Sequence, residues 1–324
     1  MLARHGRRLQ FWGDVILNRP ELIRELPKDA IALEWGYDAD HPFAADTAHF
    51  AEAGLEFYVC PGTSSWNSIG GRSENALRNL AAAAIHGSEA GASGLLITDW
   101  GDHGHWQPLP ISYLGLLAGA AFPWNVGAAR AWVPAKGAPI TAADRTRWSD
   151  LLSTLAFEDA SGELGAAAFD LGNAGHATGA QNRNGSPLFR FFHFAERAWP
   201  HPEIIGLTMD GLDRAAALLD TIPSRLSSAS STREDATLLG EELAWATDLL
   251  QVAVQWGRER MRAGEGTMLD SVPLNGRAAL ATALQDSADR HRALWARRSR
   301  TGGLRESAAR FDRLRRLLLG ASQT

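Results

Sequence analysis

Gly91-Ala-Ser-Gly-Leu-Leu-Ile-Thr-Asp-Trp-Gly-Asp-His-Gly-His-Trp-Gln107 is the stretch on which the reading of the fold turns. Leu95, Leu96 and Ile97 form an apolar run too short for a helix and bounded by glycine, which predicts a buried strand of a parallel sheet. Thr98, Asp99, Trp100, Asp102, His103, His105, Trp106 and Gln107 follow at once. Ligands of α/β sheets and barrels sit at strand C-terminal ends, on loops held by a rigid scaffold. Acids, imidazoles and indoles crowded together offer hydrogen-bond partners and flat apolar faces, a combination suited to a polyhydroxylated ring such as a sugar.

Upstream, the same unit of strand, loop and helix recurs. Leu9 to Leu17 is an apolar strand candidate carrying Phe11, Trp12 and Asp14, and Pro20 suits the first turn of a helix through Leu26. Ala30 to Trp35 is the second strand, running into Glu34-Trp35-Gly36-Tyr37-Asp38; a helix from Pro42 to Ala53 follows, with Gly54 as its C-cap. Leu55 to Cys60 is the third, ending in Pro61-Gly-Thr-Ser-Ser-Trp-Asn67, and its alanine-rich helix, Glu74 to His86, stops at Gly87. Such alternation implies right-handed crossovers and a parallel sheet. Each unit carries an aromatic residue at or just after the strand's C-terminal end: Trp12; Trp35 and Tyr37; Tyr58 and Trp66; Trp100 and Trp106. Each also has a nearby Asp14, Asp38, Asn67 or Asp102, and the recurrence predicts one pocket over the sheet.

Only four such units are present, whereas an eight-stranded barrel needs about 250 residues. Beyond Leu109 to Trp124 the pattern turns helical. Thr141-Ala-Ala-Asp144 reads as a capping box opening a helix to about Phe157. Ala160 to Ser186 reads as a long loop with a short helical piece at Leu164 to Asp170. Further helices are predicted at Pro187–Trp199, Met209–Leu219, Arg233–Arg262, Leu274–Arg298 and Arg305–Leu318, with Ser224 to Thr232 as a serine-rich connection. Leu238, Leu239, Leu243, Leu249, Leu250 and Val254 give a core stripe, and Trp245, Trp256 and Trp295 read as packing residues. The arginine runs ending at Arg300 and Arg316 read as solvated faces. The fold class is therefore α/β, a partial barrel over residues 1–133 followed by an all-α domain over 141–324.

The 324-residue chain is 45% hydrophobic, enough for a substantial core, and its net charge of −5 is modest. No basic stripe lies outside the C-terminal helices, so no nucleic-acid partner is expected. The single cysteine, Cys60, excludes an internal disulfide and a Cys-rich zinc site. Met1 to Arg8 is basic, but Phe11-Trp-Gly-Asp14 interrupts any apolar leader, and no stretch reads as a membrane span. The chain as given reads as cytoplasmic, with no membrane partner.

Phe11-Trp-Gly-Asp-Val-Ile16, Ile31-Ala-Leu-Glu-Trp35, the Tyr58 to Trp66 segment and Gly94-Leu-Leu-Ile-Thr-Asp-Trp-Gly-Asp102 resemble, in order and spacing, the fifth to eighth strands of glycoside hydrolase family 20. This is the family of the β-N-acetylhexosaminidases, and the nearer likeness is to its hexosaminidase-D-like branch. It covers residues 9 to 125, and Trp295 to Ser307 is similar to a C-terminal segment of bacterial members. The resemblance implies a (β/α)8 or TIM barrel of which this chain holds the second half. It also implies substrate-assisted hydrolysis of a terminal N-acetylhexosamine, in which an Asp orients the acetamido group and the adjacent Glu protonates the leaving oxygen. Those acids close the family's fourth strand, so the resemblance places them upstream of Met1 and implies a fragment inactive by itself. The only places where an Asp and a Glu adjoin, Glu158-Asp159 and Glu234-Asp235, fall at helix termini. What carries over is a pocket wall: Trp12, Trp35 and Trp100 around the acetamido group, Tyr58 as a donor to its oxygen, and Asp102 toward sugar hydroxyls. Pro61-Gly-Thr-Ser-Ser-Trp66 departs from the family's Tyr-Leu-Asp, which lets Trp66 take the place of Tyr58. The binding set is then Trp12, Asp14, Trp35, Tyr37, Asp38, Tyr58, Trp66, Asn67, Asp99, Trp100, Asp102 and His105, with an N-acetylhexosamine-containing glycan as partner and no cofactor or metal. An unpaired first strand also predicts self-association through the sheet edge.

Two other classes compete. The first is a non-catalytic carbohydrate-binding protein, which needs only the aromatic platform. The second is a metal-dependent hydrolase, in which His103 and His105 point the same way along an extended segment and Asp99 or Asp102 completes the shell, with His41 as a stray further ligand. Cys60, on a buried strand with no histidine beside it, reads as packing and not as a nucleophile.

Overall fold

The computed structural model describes residues 5–133, 138 and 140–320. It is an α/β protein with one four-stranded parallel sheet, its strands β1 (Gln10–Trp12), β2 (Ile31–Trp35), β3 (Glu56–Cys60) and β4 (Gly94–Leu95) lying side by side in chain order. Trp12 pairs with Leu33, Leu33 with Tyr58 and Tyr58 with Gly94, so one row runs across all four strands; Trp35 and Cys60 pair one layer further on.

Alternation along the strands sorts the sheet into two faces. Ala32, Phe57 and Val59 face a core with Ile23, Phe43, Phe50, Leu55 and Ala83, while Ile31, Leu33 and Cys60 gather with Trp35 and Tyr58 on the other side. Phe43 and Phe50 belong to helix α2 (Phe43–Glu52) and Ala83 to α3 (Ser73–Ala90), which follow α1 (Asp14–Leu17) and a 3₁₀ turn at Pro20–Glu25. Both long helices therefore cover the same face, as crossovers of one hand must when strands advance in one direction. Two helices follow β4, α4 (Tyr113–Trp124) and α5 (Val126–Trp132).

The remaining elements are helical: α6 (Ala142–Leu152) with a π turn at Ser153–Phe157, α7 (Glu163–Leu171), α8 (Ala174–Ala177), α9 (Pro187–His193), α10 (Met209–Leu219), α11 (Ile222–Ser228), α12 (Ala236–Ala263), α13 (Leu274–Arg298) and α14 (Leu304–Leu319). The capping box at α6 is realised, with Asp144 N donating to Thr141 Oγ1 at 3.2 Å and Thr141 N to Asp144 Oδ2 at 3.1 Å. Helix α12 is the centre of this part: α9, α10 and α13 pack on it, α14 packs on α13, and Leu239, Leu243, Trp245, Leu249, Leu250 and Trp256 are buried along it.

The chain divides into two compact units. Unit 1 takes the described residues within Met1–Thr63, Glu74–Asp99 and Leu114–Asp144; unit 2 takes Ser64–Ser73, Trp100–Tyr113 and Arg145–Thr324. The loops 64–73 and 100–113, read from sequence with the barrel half, thus belong to the helical unit. No described helix is long and apolar enough to cross a membrane.

Several sequence readings need correction. The strand expected over Leu9–Leu17 is three residues long, because Gly13 N makes a last ladder bond to Leu33 O and Asp14 then opens a helical turn. The buried strand expected at Leu95 to Ile97 is the two-residue edge β4, and Leu96 is 40% exposed because β4 has a neighbour on one side only. Gly87 does not end its helix. It lies inside α3, where a Cβ would stand 2.8 Å from Val59 Cγ2, so its missing side chain lets the helix close on the sheet, and α3 ends before Gly91 at φ +79°. Helix α11, with Pro223 in its first turn, takes up the first half of the serine-rich connection as far as Ser228, and the helix expected to Trp199 stops at His193.

Candidate functional site

In unit 1 the site is built on the sheet face opposite α2 and α3, where Ile31, Leu33 and Cys60 are buried and the strand-end aromatics are partly exposed. Strand alternation puts Trp12, Leu33, Trp35, Tyr58 and Cys60 on that face. Trp35, the last residue of β2, stacks on Tyr37 with ring centroids 4.9 Å apart and planes 29° apart. Trp12, the last of β1, is 40% exposed, and Trp35, Tyr37 and Asp38 are half-buried. Asp99 is exposed and its Oδ1 accepts from Thr63 Oγ1 at 2.6 Å, which fixes one carboxylate at the β4 end. Asp14 is exposed at the start of α1. Tyr58 does not reach the strand end: it sits mid-strand in the row of Leu33, its ring against Gly94, one layer below Trp35. The wall is therefore two aromatic layers deep.

Cys60 closes β3 with its thiol pushed up to about 12, by burial first and then by the charge of Glu34. Such a thiol stays protonated and is no nucleophile at neutral pH.

The remaining predicted site residues lie in unit 2. Trp66 and Asn67 turn out to have packing roles. Trp66 is fully buried and donates Nε1–H to Asn184 Oδ1 at 2.9 Å; Asn67, also buried, donates to the Asn184 carbonyl at 3.3 Å. Trp106 is likewise core, stacked on Phe311 at 4.0 Å, and Gln107 Nε2 donates to the Trp100 carbonyl at 2.6 Å. Trp100, Asp102 and His105 are exposed.

The extended segment expected at His103-Gly-His105 is absent. Both histidines adopt left-handed backbone, φ 55° and 53°, and the imidazoles go to different neighbours. His103 lies on His193 at 4.0 Å and His105 meets the edge of Trp295 at 5.9 Å. Burial lowers the His103 pKa and brings His193 down to about 4, with neighbouring arginines adding to both. Among the described residues His103 and His105 form no three-ligand group with either aspartate. The aligned pair of imidazoles that a metal shell at this loop needs is therefore not formed.

His105 instead borders a cavity of about 260 Å³ in unit 2 with Trp245, His291, Trp295, Glu242 and Arg298. Arg298, assigned from sequence to a solvated face, donates Nε–H and Nη2–H to the two oxygens of Glu242 at 2.9 and 2.6 Å, and Nη1–H to Asp235 Oδ2 at 2.8 Å. Burial pushes the Glu242 carboxyl up against the opposing pull of Arg298, and Glu242 in turn raises the guanidinium.

Among the described residues, the group that could hold a metal lies elsewhere, and of its members the sequence points only to His41, as a stray ligand. Glu34, His41 and Asp46 each bring a ligand atom within 4.8 Å of the other two. Glu34 pairs with Val59 in the ladder and so shares the helix side of the sheet. His41 Nε2 is 2.7 Å from Glu34 Oε1 and 3.5 Å from Asp46 Oδ2. Burial raises the Glu34 carboxyl, opposed by the hydrogen bond and charge of His41. The signal in the sequence is Glu34, next to last in its strand, with His41 and Asp46 five apart at the next helix start.

No family model matches this chain, and no curated protein matches it.

Proposed function

We propose that unit 1 is a sugar-binding wall of the β-N-acetylhexosaminidase type, a run of consecutive βα units from a (β/α) barrel whose strand-end aromatics, on the sheet face opposite α2 and α3, take an N-acetylhexosamine-containing glycan. The observation that carries the reading is the stacked Trp35–Tyr37 pair at the end of β2, on the same face as the half-exposed Trp12 and above Tyr58. Flat aromatic faces bordered by carboxylates suit the apolar faces and hydroxyls of a pyranose. Chain-order strands with both long helices on one face support the barrel part, since a doubly wound sheet reverses its strand order and carries helices on both sides.

The non-catalytic variant of this reading rests on the acids. Among the described residues no adjacent Asp-Glu pair ends a strand. Asp159 is occupied by the N–H groups of Leu164, Ser161 and Ser230, and Asp235 by Arg233 and Arg298. The expected behaviour is binding without turnover. General acid catalysis contributes about 10²–10⁴-fold and a positioned nucleophile adds more, so a wall without either leaves only contact energy.

The test is calorimetric titration with N-acetylglucosamine, alongside hydrolysis of an aryl N-acetyl-β-glucosaminide. Binding with Kd near 1 mM, about −4 kcal/mol, is expected, with Trp35→Ala weakening it about tenfold or more and hydrolysis no faster than buffer. Absence of binding, or unchanged affinity in Trp35→Ala, refutes the wall. Turnover by the wild-type chain refutes the non-catalytic variant.

A further inference from the structure

On the helix side of the sheet, away from the aromatic wall, we propose that Glu34, His41 and Asp46 form a binding site for a divalent first-row transition cation, with zinc as the reference ion. The first support is a buried carboxylate that the protein leaves half satisfied. Glu34 is 1% exposed; Oε1 meets His41, but Oε2 is buried without any hydrogen-bond partner. A buried carboxylate oxygen lacking a donor is costly, and a bound cation removes that cost. Two carboxylates and a neutral imidazole carry two negative charges, which one divalent ion cancels.

The geometry is close to a coordination shell. Nitrogen and oxygen ligands lie about 2.0–2.2 Å from zinc, which spaces the corners of a tetrahedron about 3.4 Å apart. The 3.5 Å between His41 Nε2 and Asp46 Oδ2 matches that spacing, and the 2.7 Å to Glu34 Oε1 reaches it when the carboxylate rotates outward. His41 is held in place from both sides. A Cβ on Gly36 would overlap its ring, and the ring stands edge-on to Phe43 at 4.5 Å. The ring therefore lies in a cradle that only a glycine leaves open.

Donor type selects the ion. One imidazole with two carboxylates suits zinc or manganese, whereas calcium and magnesium take all-oxygen shells and copper(I) takes thiolate. The site is also reachable, since the side chains of His41 and Asp46 are 20% and 23% exposed and His41 borders a cavity of about 690 Å³ with Pro42, Phe43, Arg78 and Arg130. Three protein ligands leave a fourth position to water, the pattern of an open site.

The experiment is calorimetric titration of the chelator-stripped, dialysed full chain with zinc chloride and, separately, calcium chloride, with folding of each variant checked by circular dichroism. One zinc ion per chain with clear preference over calcium is expected, and Asp46→Asn and His41→Ala should each weaken binding about tenfold or more. His193→Ala should bind as wild type, which separates this site from the stacked His103–His193 pair. Because Asp46 is partly exposed, Asp46→Asn decides the matter if the His41 variant does not fold. No stoichiometric zinc binding, equal affinity for calcium, unchanged affinity in Asp46→Asn, or loss in His193→Ala overturns the proposal.

Discussion

Replacing Arg298 by methionine removes the fork that satisfies Glu242 and leaves a carboxylate 1% exposed beside buried Trp245 and His291. Breaking a buried pair by deleting one partner costs about 3–5 kcal/mol, and the partial exposure of Arg298 puts this case near 3. Glu242→Leu is milder, about 1 kcal/mol, because Arg298 keeps Asp235 at 2.8 Å. The two losses overlap, since the double variant strands no charge in the core, and it should cost about 2 kcal/mol rather than the sum of about 4. Urea unfolding of the four proteins reads the coupling directly.

A pH arm sharpens the same test. Burial already raises the folded Glu242 carboxyl above its ordinary 4.5, and Arg298 is the chief group opposing it. Without Arg298 the folded state holds its proton to higher pH than the unfolded state, so the variant's stability should fall as pH rises from about 4.5 through the raised folded value. Its deficit against wild type is then smallest near pH 4 and grows toward neutrality. Additive single-site costs, or a deficit independent of pH, would refute a buried, charged Glu242–Arg298 pair.

Two other perturbations follow from the helical unit. Trp106→Ala should cost about 3–5 kcal/mol in urea unfolding, because the indole stacks on Phe311 at 4.0 Å and meets Phe189 and Phe192 edge-on; a loss under about 1 kcal/mol would mean the stack is not core. The Asp235 carboxyl is held down to about 2 from its ordinary 3.8 by Arg233 and then Arg298, so its contribution is present above about pH 3.8 and lost as pH falls through 2; Asp235→Asn should flatten the unfolding midpoint over that interval, and an unchanged acid limb would count against the network.

The sheet was legible because its strands obey local rules. Ala30 to Trp35 and Leu55 to Cys60 are largely apolar runs between glycine, proline and polar loops, and the structure places β2 and β3 there within a residue. Helix periodicity located α10, α12, α13 and α14 for the same reason. What local pattern does not carry is the neighbour across space. Gly87 looks like a stop until Val59 is seen against it, and Leu96 looks buried until β4 proves to be an edge. The candidate site divides on the same line. Trp12, Trp35 and Tyr37 could be placed from strand ends, but Trp66 is taken into the core by Asn184, 118 residues later. The histidine pair is hidden from the sequence for a conformational reason: extended spacing would align the two rings, and positive φ at His103 and His105 turns them apart. The Arg298–Glu242 pair spans 56 residues, a separation no composition-based reading of an arginine run can see.

Strict chain order in the sheet also sets a timetable for folding. Each strand of unit 1 pairs with the one made just before it, so its ladder can grow step by step during synthesis at little loop-closure cost. Unit 2 has no such schedule. It gathers three separate stretches of chain, and Trp106, made early, finds Phe311 only when α14 has emerged. Phe189 and Phe192 reach that indole earlier, but for some two hundred residues of translation, at roughly 5–20 residues per second, its stacking partner is missing. The nascent chain must keep an unfinished aromatic surface from aggregating until its last described helix arrives.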